Sequence, residues 1–194
     1  AGHIDAAIED ALRRIVLALD IDRSSLISVD AVTGRIETTH SWALEGIDRT
    51  PPTDIVQSNP WALSCARAGR HVVFARLDEL PAQAAVDKST FARMGLKSHV
   101  GMPMWVGGRL RGSLTFGSLR REREWPDELL GRMRLLADVF ASVLARQHAE
   151  QQRERVLDFE RLASRTLSAL LIAMPQDEAR IIETEKVELA RRNT

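Results

Sequence analysis

The sequence predicts an α/β sandwich in which helices cover both faces of one antiparallel sheet. Two segments carry apolar residues at alternate positions on either side of a glycine-containing turn, as β-hairpins do. Short helical patterns lie between these segments, and longer amphipathic helices precede and follow them. We therefore expect an α+β domain with short helices on one face of the sheet and the first and last helices on the other.

The first third of the chain predicts a helix followed by a hairpin. Residues 4–19 carry apolar side chains at three- and four-residue spacing, which is typical of an amphipathic helix. Residues 25–30 and 36–42 are the predicted strands of the first hairpin, joined by a turn. Residues 43–59, rich in Pro, Thr and Asp, form a long loop of the kind that often carries function.

The middle of the chain predicts two short helices around a short strand. Asn59 is the predicted N-cap of a helix that begins at Pro60 and ends at Gly69. Residues 71–75 then form a buried strand, and residues 87–95 a second short helix.

The second hairpin contains glycines whose spacing resembles a phosphate-binding loop. Gly107 and Gly112 have this spacing, and Ser113 follows directly, but no lysine stands after the second glycine. Both flanks are extended, so Gly107 and Gly108 are predicted to form the hairpin turn instead. The alternation predicts one apolar face: Val100, Met102, Met104, Leu110, Leu114 and Phe116.

A long helix is predicted to begin at Trp125-Pro126-Asp127 and to continue into a heptad seam. We expect one domain over residues 1–148, a helical linker or coiled coil over 149–175, and the start of a further helical segment or domain over 176–194. The residues on this helix that are predicted to contact a second copy of the chain in a dimer are Leu136, Phe140, Val143, Val156, Phe159 and Leu170.

Composition excludes several classes of protein. Lys plus Arg and Asp plus Glu are 27 each among 194 residues, so net charge gives no argument for a nucleic-acid partner. The single cysteine excludes an internal disulfide and a cysteine-rich metal site. No apolar run approaches the ~20 residues that span a bilayer. We expect a cytoplasmic fragment of a longer protein, with no membrane or nucleic-acid contact.

Four segments resemble a GAF domain: residues 8–26, 60–81, 94–118 and 123–146. Among GAF domains, these segments most resemble the sensor domains of bacterial two-component histidine kinases and sigma-54-type transcriptional activators. The resemblance implies a sheet of five to six strands and a small-molecule ligand. It also implies homodimerisation through the terminal helices and an output domain, such as a kinase, outside this chain. We therefore expect a regulatory domain rather than an enzyme.

The cofactor motifs of the family are not matched. Bilin-attachment cysteines usually precede a histidine, whereas Ala66 follows Cys65, so we expect no bilin. Cyclic-nucleotide GAF domains carry an Asn-Lys-x-Phe-Asp-Glu signature, of which only Asp87-Lys88 and Phe91 are suggestive here. No histidine pair has metal-ligand spacing, so no metal is expected, although His99 alone could serve a haem.

The hairpin face opposite the apolar one is the predicted ligand site, because small and polar residues leave room and orient a ligand. Three hypotheses remain: a ligand sensor, a ligand-free dimerisation module whose aromatic residues fill the gap, and a haem or chromophore sensor. The candidate pocket residues are Trp61, Cys65, Phe74, Phe91, His99, Ser113 and Thr115.

Overall fold

The computed structural model describes residues 2–30 and 32–173. The helices are α1 (Gly2–Leu19), α2 (Ile55–Ser58), α3 (Pro60–Arg67), α4 (Ala85–Arg93) and α5 (Asp127–Ala173). The strands are β1 (Arg23–Val29), β2 (Ile36–Ala43), β3 (Val72–Phe74), β4 (Ser98–Val106) and β5 (Arg109–Ser118). The fold divides into two compact units, the first ending at Ala145 and the second beginning at Arg146.

The five strands of the described chain form one antiparallel sheet in the order β2-β1-β5-β4-β3. This architecture confirms the predicted sheet and hairpins. The predicted loop at residues 43–59 is not entirely irregular, because it contains α2, for which Asp54 is the N-cap.

One face of the sheet packs against α1 and the first part of α5, as expected. Leu12 and Val16 of α1, Met133 and Ala137 of α5, and Phe116 of β5 are all inaccessible to solvent within this core. The opposite face is covered by α2, α3 and α4 through two smaller apolar clusters. The sheet is therefore a single layer between the terminal helices and the short helices.

A β-bulge corrects the predicted assignment of Leu110. Met104 pairs with Gly112 but Trp105 pairs with Leu110, which leaves Arg111 as the extra residue. The extra residue reverses which side chains point to which face. Leu110 therefore packs with Ile36, Ile55 and Leu63 beneath the short helices, and not with Leu114 and Phe116.

On α5, the predicted dimer residues fall into different environments. Leu136 and Phe140 are half-buried against the core of the first unit, whereas Val143 is exposed. In the second unit Val156 and Phe159 are exposed, and the side chain of Leu170 lies outside the described residues. No helix in the described part of the chain is both long enough and apolar enough to span a membrane.

A candidate ligand-binding cavity

A cavity of about 80 Å³ lies between the sheet and the short helices. This volume holds several water molecules but is smaller than the ~300–1,000 Å³ of most small-molecule pockets. The sheet contributes Arg23, Ser25, Ile27, His99, Gly101, Leu110, Ser113 and Thr115 to the walls. The covering segments contribute Ile55, Asn59, Ala62, Leu63, Ala66, Phe91 and Met94.

The cavity includes some of the predicted pocket residues and leaves out others. Phe91, His99, Ser113 and Thr115 line it. Trp61, Cys65 and Phe74 do not, because they pack in the apolar cluster between α3, α4 and β3. Residues Ala62, Leu63 and Ala66 of α3 face the cavity instead. The face that α3 turns towards the sheet therefore differs from the predicted one.

His99 forms one wall of the cavity within a group of three rings. Its ring centroid lies 5.6 Å from that of Phe74 and 5.0 Å from that of Phe91, and the two phenylalanine centroids are 5.3 Å apart. Burial lowers the pKa of His99 to about 3, and the charge of Arg23 acts in the same direction. The imidazole is consequently neutral at physiological pH.

We expect His99→Gln to flatten the pH dependence of stability between about pH 6.5 and 3. In the unfolded chain His99 titrates near its ordinary pKa of about 6.5. Below that pH only the unfolded state takes up the proton, so the free energy of unfolding falls by about 1.4 kcal/mol per pH unit until the folded pKa is reached. Urea unfolding at several pH values measures the slope. His71→Gln, at an exposed site, is the control, and equal slopes for wild type and His99→Gln would contradict the prediction.

Arg23 is buried at the edge of the cavity with most of its donors unused. It is 5% exposed, and its Nη1 donates to the backbone oxygen of Asp48 at 2.9 Å. Within the described residues, neither Nε nor Nη2 has an acceptor, and the guanidinium forms no ion pair. Burial lowers the pKa of Arg23, and the more distant Asp48 carboxylate partly opposes this shift. The charge of this side chain is therefore poorly compensated.

Asn59, which lines the cavity, also has a buried polar atom without a partner. The sequence predicted its side chain as the cap of α3, but it makes no capping hydrogen bond. The N–H groups of Trp61 and Ala62 donate instead to the carboxylate of Asp87, at 3.1 and 2.8 Å. Because Asp87 of α4 caps the helix, Asn59 makes no capping bond; its Oδ1 lies 2.9 Å from Ser58 Oγ, and its buried Nδ2 has no partner.

Hydroxyl groups complete the polar part of the wall, and most of them are already paired. Ser25 Oγ lies 3.0 Å from Ser41 Oγ and 2.9 Å from Thr50 Oγ1. Thr115 Oγ1 donates to the backbone oxygen of Ser25 at 3.1 Å. Ser113 Oγ has no hydrogen-bond partner in the described part of the chain. Ser113 can therefore accept a ligand contact without breaking an existing one.

The ionisable groups that line the cavity are Arg23, Arg70 and His99, and no carboxylate is among the described lining residues. Nor do the described residues contain a cluster of three or more His, Cys, Asp or Glu side chains suited to a metal ion. The cavity is thus an apolar space with a positively charged boundary.

The sequence reasoning missed Arg23, Asn59 and Arg70 as cavity residues. Arg23 alternates in phase with Ser25 and Ile27, but the predicted strand began two residues later and excluded it. Extending the period-two pattern by one step would have placed it on this face. The role of Asn59 had no local signal, because it depends on a carboxylate from another helix.

Comparisons with known proteins agree with this architecture. The family model described as GAF domain matches residues 3–144. The blue-light absorbing form of the Thermosynechococcus elongatus PixJ GAF domain has a TM-score of 0.62 at 18% identity, over 80% of this chain and 92% of its own. A domain of a putative two-component sensor histidine kinase from Sinorhizobium meliloti 1021 has a TM-score of 0.61 at 19% identity, over 79% of this chain and 99% of its own.

No curated protein sequence matches the chain. The structural neighbours are less than 25% identical to it, so they establish the fold alone. The family model covers most of the first compact unit and well over half of the whole chain. The chain therefore belongs to the GAF domain family.

Proposed function

We propose that this GAF domain is a non-catalytic regulatory sensor, within a bacterial signal-transduction protein of the cytoplasm, that binds a small molecule in the cavity. The observation that carries the proposal is an apolar space lined by Asn59, whose buried amide Nδ2 has no partner, and by Arg23, whose guanidinium makes a single hydrogen bond within the described residues. Unpaired buried polar groups cost about 1–3 kcal/mol each, more when charged. A ligand that supplied the missing partners would remove this cost.

The sheet offers a route from the ligand to the terminal helices. Ser113 and Thr115 of β5 line the cavity, while the alternating Leu114 and Phe116 pack in the core with α1 and α5. A ligand that binds in this space would change the contacts between the sheet and the short helices. Because Leu114 and Phe116 lie on the other face of the same strand, a movement of β5 would also change their packing against α1 and α5. We propose that an output domain outside this chain responds to the resulting shift of α5.

The proposal is tested by a substitution that fills the cavity with a larger side chain. We expect Ser113→Leu to occupy the free space, leave the fold intact and abolish the binding of any molecule that stabilises the wild type. Thermal melts with a metabolite library, together with mass spectrometry of copurifying molecules, identify the ligand. Ser89→Leu, on the exposed surface of α4, is the matched control. Binding that survives in Ser113→Leu, or a wild type that binds nothing, would contradict the sensor proposal.

We further propose that α5 contacts a second copy of the chain. Within the first unit Leu135, Val139 and Val143 are exposed and recur at every fourth position, which forms one apolar stripe on the helix. Burying large aliphatic side chains between two identical helices is the usual basis of such dimers. The stripe supports an interface at this position, adjacent to the half-buried Leu136 and Phe140.

We expect Val139→Glu to weaken this dimer about 10- to 100-fold. Val139 is 60% exposed in the single chain, so glutamate is tolerated by the monomer. In the dimer it would replace an apolar contact of about 1.5–3 kcal/mol with a buried charge. Sedimentation equilibrium over a range of concentrations measures the dissociation constant. Asp138→Glu, at the neighbouring exposed position, is the control, and an unchanged constant for Val139→Glu would place the interface elsewhere.

A ligand-free dimerisation module is the second candidate, and the small size of the cavity favours it. It differs from the sensor in one measurable respect. A module of this kind dimerises without any response to small molecules, and filling its cavity with Ser113→Leu would stabilise it and change nothing else.

A chromophore sensor has weaker support. The structural neighbours include cyanobacteriochrome GAF domains, one with bound biliverdin. In this chain, however, Cys65 is buried among apolar side chains and does not line the cavity. We therefore expect a colourless protein after expression with haem and bilin supplied, and visible absorbance would restore the chromophore hypothesis.

A further inference from the structure

We propose that the ligand is a small organic monocarboxylate, whose carboxylate pairs with Arg23 and whose short aliphatic body fills the apolar part of the cavity. This inference rests on the proposed sensor function and names the chemical class that the site would accept.

The unused donors of Arg23 favour an anion. A guanidinium has five N–H donors in a planar fork that matches the two oxygens of a carboxylate. Here the buried fork gives one hydrogen bond, to the backbone of Asp48, and has no ion-pair partner in the described chain. A buried cation without a counterion is costly, and a ligand carboxylate would supply both the charge and the second acceptor that the site lacks.

The nearest carboxylate to act on Arg23, that of Asp48, neither lines the cavity nor forms an ion pair with the guanidinium. No aspartate or glutamate is among the described lining residues, and the exposed Arg70 adds a second positive charge at the boundary. The imidazole of His99 is neutral, so it adds no second buried positive charge beside Arg23. One buried positive charge matches a singly charged anion better than a phosphate dianion.

Asn59 provides an additional polar contact whichever way its amide is oriented. Ser58 Oγ lies 2.7 Å from the backbone oxygen of Asp54 and 2.9 Å from Asn59 Oδ1, but it has only one proton. If that proton goes to Asn59, the amide Nδ2 is the free donor. If it goes to Asp54, the amide is reversed and its oxygen is the free acceptor. Either orientation leaves one buried amide atom for a ligand.

The size and walls of the cavity limit the body of the ligand. An apolar cavity of about 150 Å³ accommodates benzene, and the present one is about 80 Å³. Ile27, Ile55, Leu63 and Leu110 make its walls aliphatic. A chain of roughly three to five carbons suits that volume, whereas an inorganic anion would leave the apolar walls without contacts.

The test compares carboxylates with neutral molecules of similar shape and with an inorganic anion. The panel is butyrate, isovalerate, butyramide, butan-1-ol and inorganic phosphate, tested by thermal melts and calorimetry. We expect butyrate or isovalerate, at about a hundredfold above its dissociation constant, to raise the melting temperature by roughly 5–10 °C. The amide, the alcohol and phosphate should have at most a tenth of that affinity.

Variants of Arg23 distinguish recognition from general stability. Arg23→Met should raise the melting temperature of the free protein by roughly 2–4 °C, because it removes an uncompensated buried charge, and should abolish the response to butyrate. Arg23→Lys, which keeps the charge but loses the fork, should weaken binding at least about tenfold and covers the case in which Arg23→Met does not fold. Arg109→Met, in the exposed start of β5, is the matched control and should change neither property.

Specific outcomes overturn the inference. Butyramide or phosphate binding as tightly as butyrate, or full binding by both Arg23 variants, would show that Arg23 does not select a carboxylate. A wild type that ignores both carboxylates would also overturn it. The sensor function would still stand in that case if Ser113→Leu abolished the binding of another molecule.

Discussion

Replacing Gly112 with alanine is expected to cost the domain at least about 4 kcal/mol of its free energy of unfolding. Gly112 has φ +150°, a conformation that side chains rarely permit. A Cβ at this position would lie 1.9 Å from the backbone oxygen of Ile27 and 2.9 Å from its carbonyl carbon. Those atoms belong to the adjacent strand β1, so no side-chain rotation relieves the clash. The strands would have to separate at the bulge in the centre of the sheet.

Urea unfolding followed by circular dichroism measures this effect. Gly131→Ala is the matched control, because Gly131 lies in α5 and a Cβ added there would have nothing within 4 Å. Removing a helical glycine there is expected to stabilise the protein by about 0.5–1 kcal/mol. If Gly112→Ala unfolded within about 1 kcal/mol of wild type, the bulge would have to accommodate the methyl group, and the close approach of β5 to β1 would be refuted.

The bulge also explains which part of the fold was predictable. Period-two alternation identified both hairpins and correctly separated Met102, Leu114 and Phe116 from His99, Ser113 and Thr115. It misplaced Leu110, because alternation assumes an unbroken register. The register shift depends on how β5 pairs with β4. No local pattern in the sequence contains that information.

The cavity was predictable to a similar extent. The strand positions on the correct face followed from alternation, but the helix positions did not, since the rotation of α3 against the sheet is set by its packing with α4 and β3. Trp61 and Cys65, which were predicted to line the pocket, therefore lie outside the observed cavity, and Ala62 and Ala66 line it instead. Burial of Arg23 was unexpected because arginine is rarely buried without an ion-pair partner. Such a departure from the usual burial preference supports the proposal that the cavity is a binding site, because sequence rules are most often broken at functional sites.

Asp87→Ala is expected to destabilise the domain by about 2–4 kcal/mol. Asp87 is completely buried, and its two carboxylate oxygens accept from the N–H groups of Trp61 and Ala62. These N–H groups belong to the first turn of α3, where a negative charge also interacts favourably with the helix dipole. Alanine would leave both donors without their acceptor and would remove the two hydrogen bonds that join α4 to the first turn of α3. The loss corresponds to a decrease in melting temperature of roughly 4–16 °C.

Two further variants separate the contributions to this loss. Asp78→Ala removes an exposed carboxylate near Arg76 and should change stability by less than about 0.5 kcal/mol. Asp87→Asn keeps one acceptor but places an amide N–H group against a backbone donor, so it should lose a large part of the stability that alanine loses.

Asp87→Ala should also weaken ligand binding, because the Asn59 side chain, at the N-cap position, can then turn towards the uncapped helix end and leave the cavity. If Asp87→Ala were stable and bound the ligand as tightly as wild type, the position of Asn59 at the cavity would not depend on Asp87 capping α3.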